Sequence, residues 1–129
     1  MSPRENNLNG LLQADTPSIR LLALTKLKAL PVNDPQVAQE QKQVDEQEPV
    51  ISILKEQQPD GFWIWERSYY TPKYRSSHWS MQLLTELGLS SAHPVLQRGA
   101  LYMRKRMQPV LVKKLEQDLP GLACFWATF

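Results

Sequence analysis

Disulfides are excluded at once. The 129-residue chain carries a single cysteine, Cys124, so no internal bridge can brace it. That usage suits a reducing compartment. Long apolar runs are missing as well. No stretch approaches the roughly 20 apolar residues needed to span a bilayer, and the opening MSPRENNLNGLLQAD holds no signal-peptide core. A soluble, cytoplasmic protein is the expectation. Strict polar–apolar alternation is absent too, which argues against strands. Acids are missing between Glu86 and Glu116, where Arg98, Arg104, Lys105, Arg106, Lys113 and Lys114 all fall. The overall balance of 15 basic and 13 acidic residues selects no class of partner. Hydrophobic residues at 42% and charged residues at 22% describe an ordinary globular chain, long enough for one domain.

What is present is helical periodicity cut by proline and glycine. Residues 8–14 predict a short lead-in helix. Asp15, Thr16 and Pro17 then form a helix start, with proline in the first turn. Over residues 18–30 the spacing places Ile19, Ala23, Leu27 and Leu30 on one face, widened by Leu22 and Leu24. Pro31 to Pro35 breaks the helix, and Asn33 or Asp34 can cap the next. Residues 36–48 read as a mostly solvated helix anchored by Val37, Ala38 and Val44. A further helix from Pro49 buries Val50, Ile53 and Leu54, with Ile51. After an aromatic loop, Ser76 or Ser77 caps a helix with Trp79, Leu83 and Leu87 in line, ended by Gly88. Ser90 to His93 cap the next, which Pro94 opens and which aligns Leu96, Ala100, Met103 and Met107. Pro109 is expected to interrupt it, and Pro120-Gly121 punctuates again. Six to seven helices in one all-α domain follow.

Between two of these helices stands Gln57-Gln58-Pro59-Asp60-Gly61-Phe62-Trp63. Gly61 can take a positive φ, Asp60 can bond nearby N–H groups, and a glutamine offers both donor and acceptor to a helix end. The Gln-x-x-x-Gly-x-Trp spacing resembles the QW repeat of squalene and oxidosqualene cyclases and the related repeats of protein prenyltransferase β-subunits. The neighbouring "VISILKEQQPDGFW", "YYTPKYRSSHW" and "MQLLTELGL" look like consecutive pieces of such proteins, small bacterial members without an established reaction included. "LLQADTPSIRLLALTKL" is similar to the opening helices of the same group. The resemblance covers residues 11–107. It implies helical-hairpin repeats forming part of an α/α-toroid, with residues 1–15 as a lead-in and 16–129 as repeats. Gln57, Gln58, Asp60, Gly61 and Trp63 are then a structural repeat joint rather than a substrate contact.

The resemblance does not bring catalysis with it. Class II cyclases protonate with an Asp-x-Asp-Asp acid, and no such triplet occurs here. An aspartate-rich metal site is missing as well. The zinc set of protein prenyltransferases would have to come from Cys124, His78 and His93. A buried thiol, a loop-facing histidine and a helix-start residue are the preferred readings of these three. No catalytic residue and no cofactor are expected, and the chain is read as leaning away from an enzyme. Trp63, Trp65, Tyr70, Tyr74 and Trp79 are candidate contacts for an apolar, isoprenoid-like ligand. Core packing is the competing reading of the same rings.

The basic residues 98–114 read as the wet side of a helix. They lack the aromatic interleaving of single-strand binders, so no nucleic acid is expected. The terminal GLACFWATF would leave Phe125, Trp126 and Phe129 uncovered. Self-association or a further C-terminal portion is expected to cover them. Two alternatives stay open. "TPSIRLLALTKL" also resembles the first helix of a HEAT repeat, which would make a protein-interaction scaffold. The chain also reads as a fragment of an active terpenoid cyclase.

Overall fold

Proline and a capping group open helix after helix. The structure, a computed structural model, describes residues 2–116. Helix α1 is Pro3–Leu12, and Ser2 and Glu5 close a reciprocal capping box at its start. That box begins the helix five residues earlier than the apolar pattern predicts. Helix α2 is Pro17–Leu22 and widens into one π-helical stretch, Ala23–Leu27. Helix α3 is Pro35–Asp45, where Asp34 accepts the Gln36 N–H at 2.9 Å. Helix α4 is Val50–Glu56, and α5 is Ser77–Glu86. Helix α6 is Pro94–Glu116, with the Val95 N–H donating to His93 Nδ1 at 3.2 Å. No strand occurs among the described residues, so the fold is all-α. Cys124, Phe125, Trp126 and Phe129, with the turn at Pro120-Gly121, lie outside the described residues.

Each helix packs on its successor, from α1 through α6. One apolar cluster, Leu21, Leu24, Val37 and Val44, joins α2 to α3. A second gathers Val50 of α4, Trp63, Met81 and Leu84 of α5, Leu89, and Val95 and Leu96 of α6. A third sets Tyr102, Met103 and Met107 of α6 against Phe62 and Tyr69 of the long loop between α4 and α5. Helices α2 to α5 lie close to where the periodicity puts them, but the buried faces of α2 and α5 do not. Ile19 is exposed and Leu27 is 60% exposed, while Ser18, Leu21, Ala23 and Leu24 face inward. The π stretch adds a residue to the turn and rotates Leu27 outward. Ser18 can lie inside because its hydroxyl donates to Leu87 O and accepts from Gln47 Nε2. In α5 the buried face is Ser77, Met81 and Leu84, with His78 and Ser80 beside it, and Leu83 is 41% exposed. Ala38 and Ala100 are exposed as well.

Pro109 does not end α6, which runs seven residues past it. A proline removes one N–H and leaves the Lys105 carbonyl without its i+4 donor. Pro109 and Lys105 are both exposed, so water can satisfy that carbonyl and the helix continues. No described helix is long and apolar enough to cross a membrane.

A polar seam ties α2 and α3 to the turn after α5. Gln41 Nε2 donates to Gly88 O at 2.8 Å, and Gln47 Nε2 to Ser18 Oγ at 2.6 Å. Arg20 spans the same pair of helices. Its Nε bonds Glu40 at 2.9 Å, its Nη2 bonds Gln43 Oε1 at 2.5 Å, and its Nη1 takes the Ala14 and Asp15 carbonyls beyond the end of α1. These groups are joined through long-range contacts that spacing along the chain does not display.

Candidate functional site

The stretch singled out by its Gln-Gly-Trp spacing folds into a clasp. Helix α4 ends at Glu56, where the Gln57 N–H turns to Leu54 O and leaves the Ile53 carbonyl to find another donor. The Trp63 indole supplies it: Nε1 donates to Ile53 O at 2.8 Å. The loop between them is closed by two backbone bonds of 2.8 Å, Gln58 N–H to Phe62 O and Gly61 N–H to Gln58 O. Gln57 Nε2 donates to Gly61 O at 3.2 Å and to Val95 O in the first turn of α6 at 2.8 Å. Arg98 Nε donates to Gln57 Oε1 at 3.2 Å. One glutamine side chain therefore joins the α4 end, the glycine turn and α6. The helix-end carbonyl is taken by the indole and not by the glutamine.

Trp63 is 0% exposed. It enters the core because Gly99 gives it space: a Cβ on Gly99 would stand 3.2 Å from Trp63 Cζ3 and would strike Met81 Sδ. Gly99 was not singled out from the sequence. Its signal was a glycine between Val95 and Met103 on one i, i+4 line of α6. Gly61 has φ +96°, and a Cβ there would run into the backbone of Arg98, 2.8 Å from its carbonyl carbon. Asp60 and Gln58 contribute less through their side chains. Gln58 Nε2 reaches only Glu56 O at 3.4 Å, and Asp60 lies exposed at the rim of a cleft.

The loop after the clasp hangs on the first turn of α5. The Trp63 N–H donates to Ser77 Oγ at 2.9 Å, the His78 N–H to Tyr69 O at 2.7 Å, and Trp79 Nε1 to Tyr70 O at 3.1 Å. Tyr69 turns inward onto α6, whereas Tyr70 and Tyr74 turn outward around Trp79. The Tyr70 and Trp79 ring centres are 5.3 Å apart, and those of Tyr74 and Trp79 are 4.9 Å apart. Lys73 Nζ lies 5.0 Å over the Tyr74 ring, and Arg67 lies 4.8 Å over Trp65. Of the five aromatic ligand candidates, three therefore meet in one surface cluster: Tyr70, Tyr74 and Trp79. Trp65 is exposed beneath its arginine, and Trp63 is fully buried in the core.

His78 sits under that cluster. Its ring lies edge-on to Trp79 at 4.8 Å and 5.3 Å from Tyr70. Burial lowers its pKa below the ordinary value of 6.5. The folded state thus favours neutral imidazole, while the unfolded chain takes up a proton from about pH 6.5 downward. This contribution to stability is complete above pH 6.5 and is lost as pH falls below it. Urea midpoints should drop from pH 7 to pH 5. His78→Gln should flatten that particular decline, and an unchanged pH profile in the variant would refute the assignment.

On the α6 side, the Tyr102 hydroxyl donates to Glu66 O at 2.8 Å and so pins the start of the loop to the helix. Burial pushes the Tyr102 pKa up, and the neighbouring Arg106 opposes that rise. Asp60, Glu66, Leu101, Tyr102, Lys105 and Arg106 line a cleft of about 230 Å³ here. Among the described residues no three of His, Cys, Asp and Glu lie close enough to hold a metal. With this geometry in view, no family model, no curated protein and no solved structure matches the chain.

Proposed function

We propose that the chain is a helical-hairpin repeat module of the prenyltransferase and squalene-cyclase type, part of an α/α-toroid arrangement, that binds an apolar isoprenoid-like ligand without transforming it. The observation that carries this reading is the clasp. Gln57 spans the Gly61 turn and Val95, while the Trp63 indole N–H closes the end of α4. A second glutamine, Gln41, holds the carbonyl of the other positive-φ glycine, Gly88. Amide-to-glycine-turn bonding of this kind, from α3 to the turn after α5 and from the end of α4 to α6, is the fastening a stacked-hairpin array needs to keep its joints in register. The ligand surface in this reading is the exposed Trp65, Tyr70 and Tyr74 with the half-buried Trp79 against which the two tyrosines pack, and Trp63 is the buried fastener of the clasp. The Asp-x-Asp-Asp acid is absent from the sequence, so binding is assigned and protonation is not.

The test is ligand-induced stabilisation. Squalene and farnesol, each delivered in detergent micelles with a matched blank, are added to the purified chain. A ligand bound at a hundredfold excess over Kd should raise Tm by about 5 °C or more. Tyr70→Ala should reduce that rise without changing the Tm of the free protein by a similar amount. No shift with either lipid, at concentrations that saturate the micelles, would refute the ligand reading.

A further inference from the structure

The sequence separates aromatic residues from basic ones, and the fold packs the start of the aromatic loop on the helix that carries six of the basic residues. Residues 67–115 contain nine basic side chains (Arg67, Lys73, Arg75, Arg98, Arg104, Lys105, Arg106, Lys113 and Lys114) and one acid, Glu86. Residues 1–66 contain ten acids and six bases, so the excess positive charge is carried by the loop, α5 and α6. Tyr69 packs on Tyr102, Met103 and Met107, and the Tyr102 hydroxyl takes Glu66 O. The aromatic loop therefore lies along the helix that carries Arg104, Lys105 and Arg106, all exposed.

We propose that this loop and the flank of α6 form a binding surface for single-stranded nucleic acid. Such binders combine flat rings, on which bases of any sequence stack, with cations that follow the phosphates. Both parts are preformed here. Tyr74 is 70% exposed and is held at 4.9 Å from Trp79, with Lys73 over both rings. Tyr70 abuts the same Trp79, and Trp65 presents its ring under Arg67. The large apolar side chains that the loop exposes, Trp65, Tyr70 and Tyr74, are all aromatic and none is aliphatic. That favours stacking on bases over insertion into lipid. This inference draws on the same rings as the apolar-ligand reading, Trp65, Tyr70, Tyr74 and Trp79, and differs from it in requiring the cations beside them. Binding of oligo-U without any Tm shift from squalene or farnesol separates the two.

Fluorescence anisotropy of the full chain with a labelled 15-nucleotide oligo-U tests it. Parallel arms use a duplex of equal length and phosphatidylserine vesicles. The single strand should bind more tightly than the duplex, quench tryptophan fluorescence, and weaken linearly in log–log form as salt rises. Tyr74→Asn removes the ring and keeps a residue suited to a left-handed backbone. It should weaken binding about fivefold or more. Lys73→Gln, on an exposed side chain, should lower the salt slope by about 0.7. No binding to oligo-U at 50 mM salt would overturn the proposal. So would binding confined to vesicles, a preference for duplex, or affinities that neither variant changes.

Discussion

Trp63→Ala is expected to cost about 3–5 kcal/mol, the usual range for emptying a fully buried aromatic site. The ring is 0% exposed and is surrounded by Val50, Met81, Leu84, Leu89, Val95 and Leu96, which come from α4, α5, α6 and the turn before α6. Deleting it also strands the Ile53 carbonyl, whose donor is the indole N–H. The rigid backbone around Gly99 cannot collapse into the void cheaply, because the gap is shaped for a ring. A domain of this size has about 5–15 kcal/mol in hand, so the variant should be largely unfolded at 37 °C. Trp63→Phe separates the two causes. It keeps much of the ring and loses the hydrogen bond, so its expected cost is smaller, about 1–3 kcal/mol. Trp65→Ala, at a site 40% exposed, should fall within about 1 kcal/mol of the parent. Urea denaturation followed by far-ultraviolet circular dichroism reads all three. Equal midpoints for Trp63→Ala and Trp65→Ala would mean that the clasp does not hold the helices together.

Gly61→Ala should be nearly as damaging for a different reason. At φ +96° any L side chain is strained, by about 1–2 kcal/mol. The steric part is larger, because the added Cβ would occupy space held by the carbonyl of Arg98 in α6. Backbone cannot swing aside as a flexible side chain would, so the turn or the helix must move, and the Gln57 bonds to Gly61 O and Val95 O would go with it. A total of about 3 kcal/mol or more is expected. Gly61→Asn sharpens the argument. Asparagine tolerates positive φ better than alanine, so relief of strain alone would make it the milder change. Contact with Arg98 predicts that it is no better. A clear rescue by asparagine would show that the close approach is not the controlling feature.

The candidate site was partly legible. The spacing of Gln57, Gly61 and Trp63 pointed to a joint because each residue type has a distinct local capacity: an amide with both donor and acceptor, a backbone free at positive φ, and a ring with one N–H. The partners of those groups were not legible. Ile53 O, Val95 O and Ser77 Oγ are supplied by three different elements. The space for Trp63 comes from a glycine 36 positions away. Likewise the rings of Tyr70, Tyr74 and Trp79 stood out as a group, but composition could not say which would face water.

The sequence by itself determined several of the helix boundaries, though not the start of α1 or the passage of α6 through Pro109. Proline, a preceding Ser, Asp or His, and a terminal glycine act through the backbone of their own turn, so Pro17, Pro35, Pro94 and Gly88 sit at boundaries in the structure as they do in the pattern. Tertiary structure decided which face of each helix is buried. Hydrophobicity favoured Ile19, Leu27, Trp79 and Leu83. Ser18, Ser77 and Ser80 went inside instead, where distant or loop atoms bond their hydroxyls. A polar side chain can be buried at little cost once its bond is made, and the partner for that bond exists only after the chain has folded. The same holds for Pro109, which should break a helix locally. It does not do so here because the Lys105 carbonyl that it deprives of a donor lies on an exposed stretch of α6, and only the packing of α6 settles which stretch is exposed.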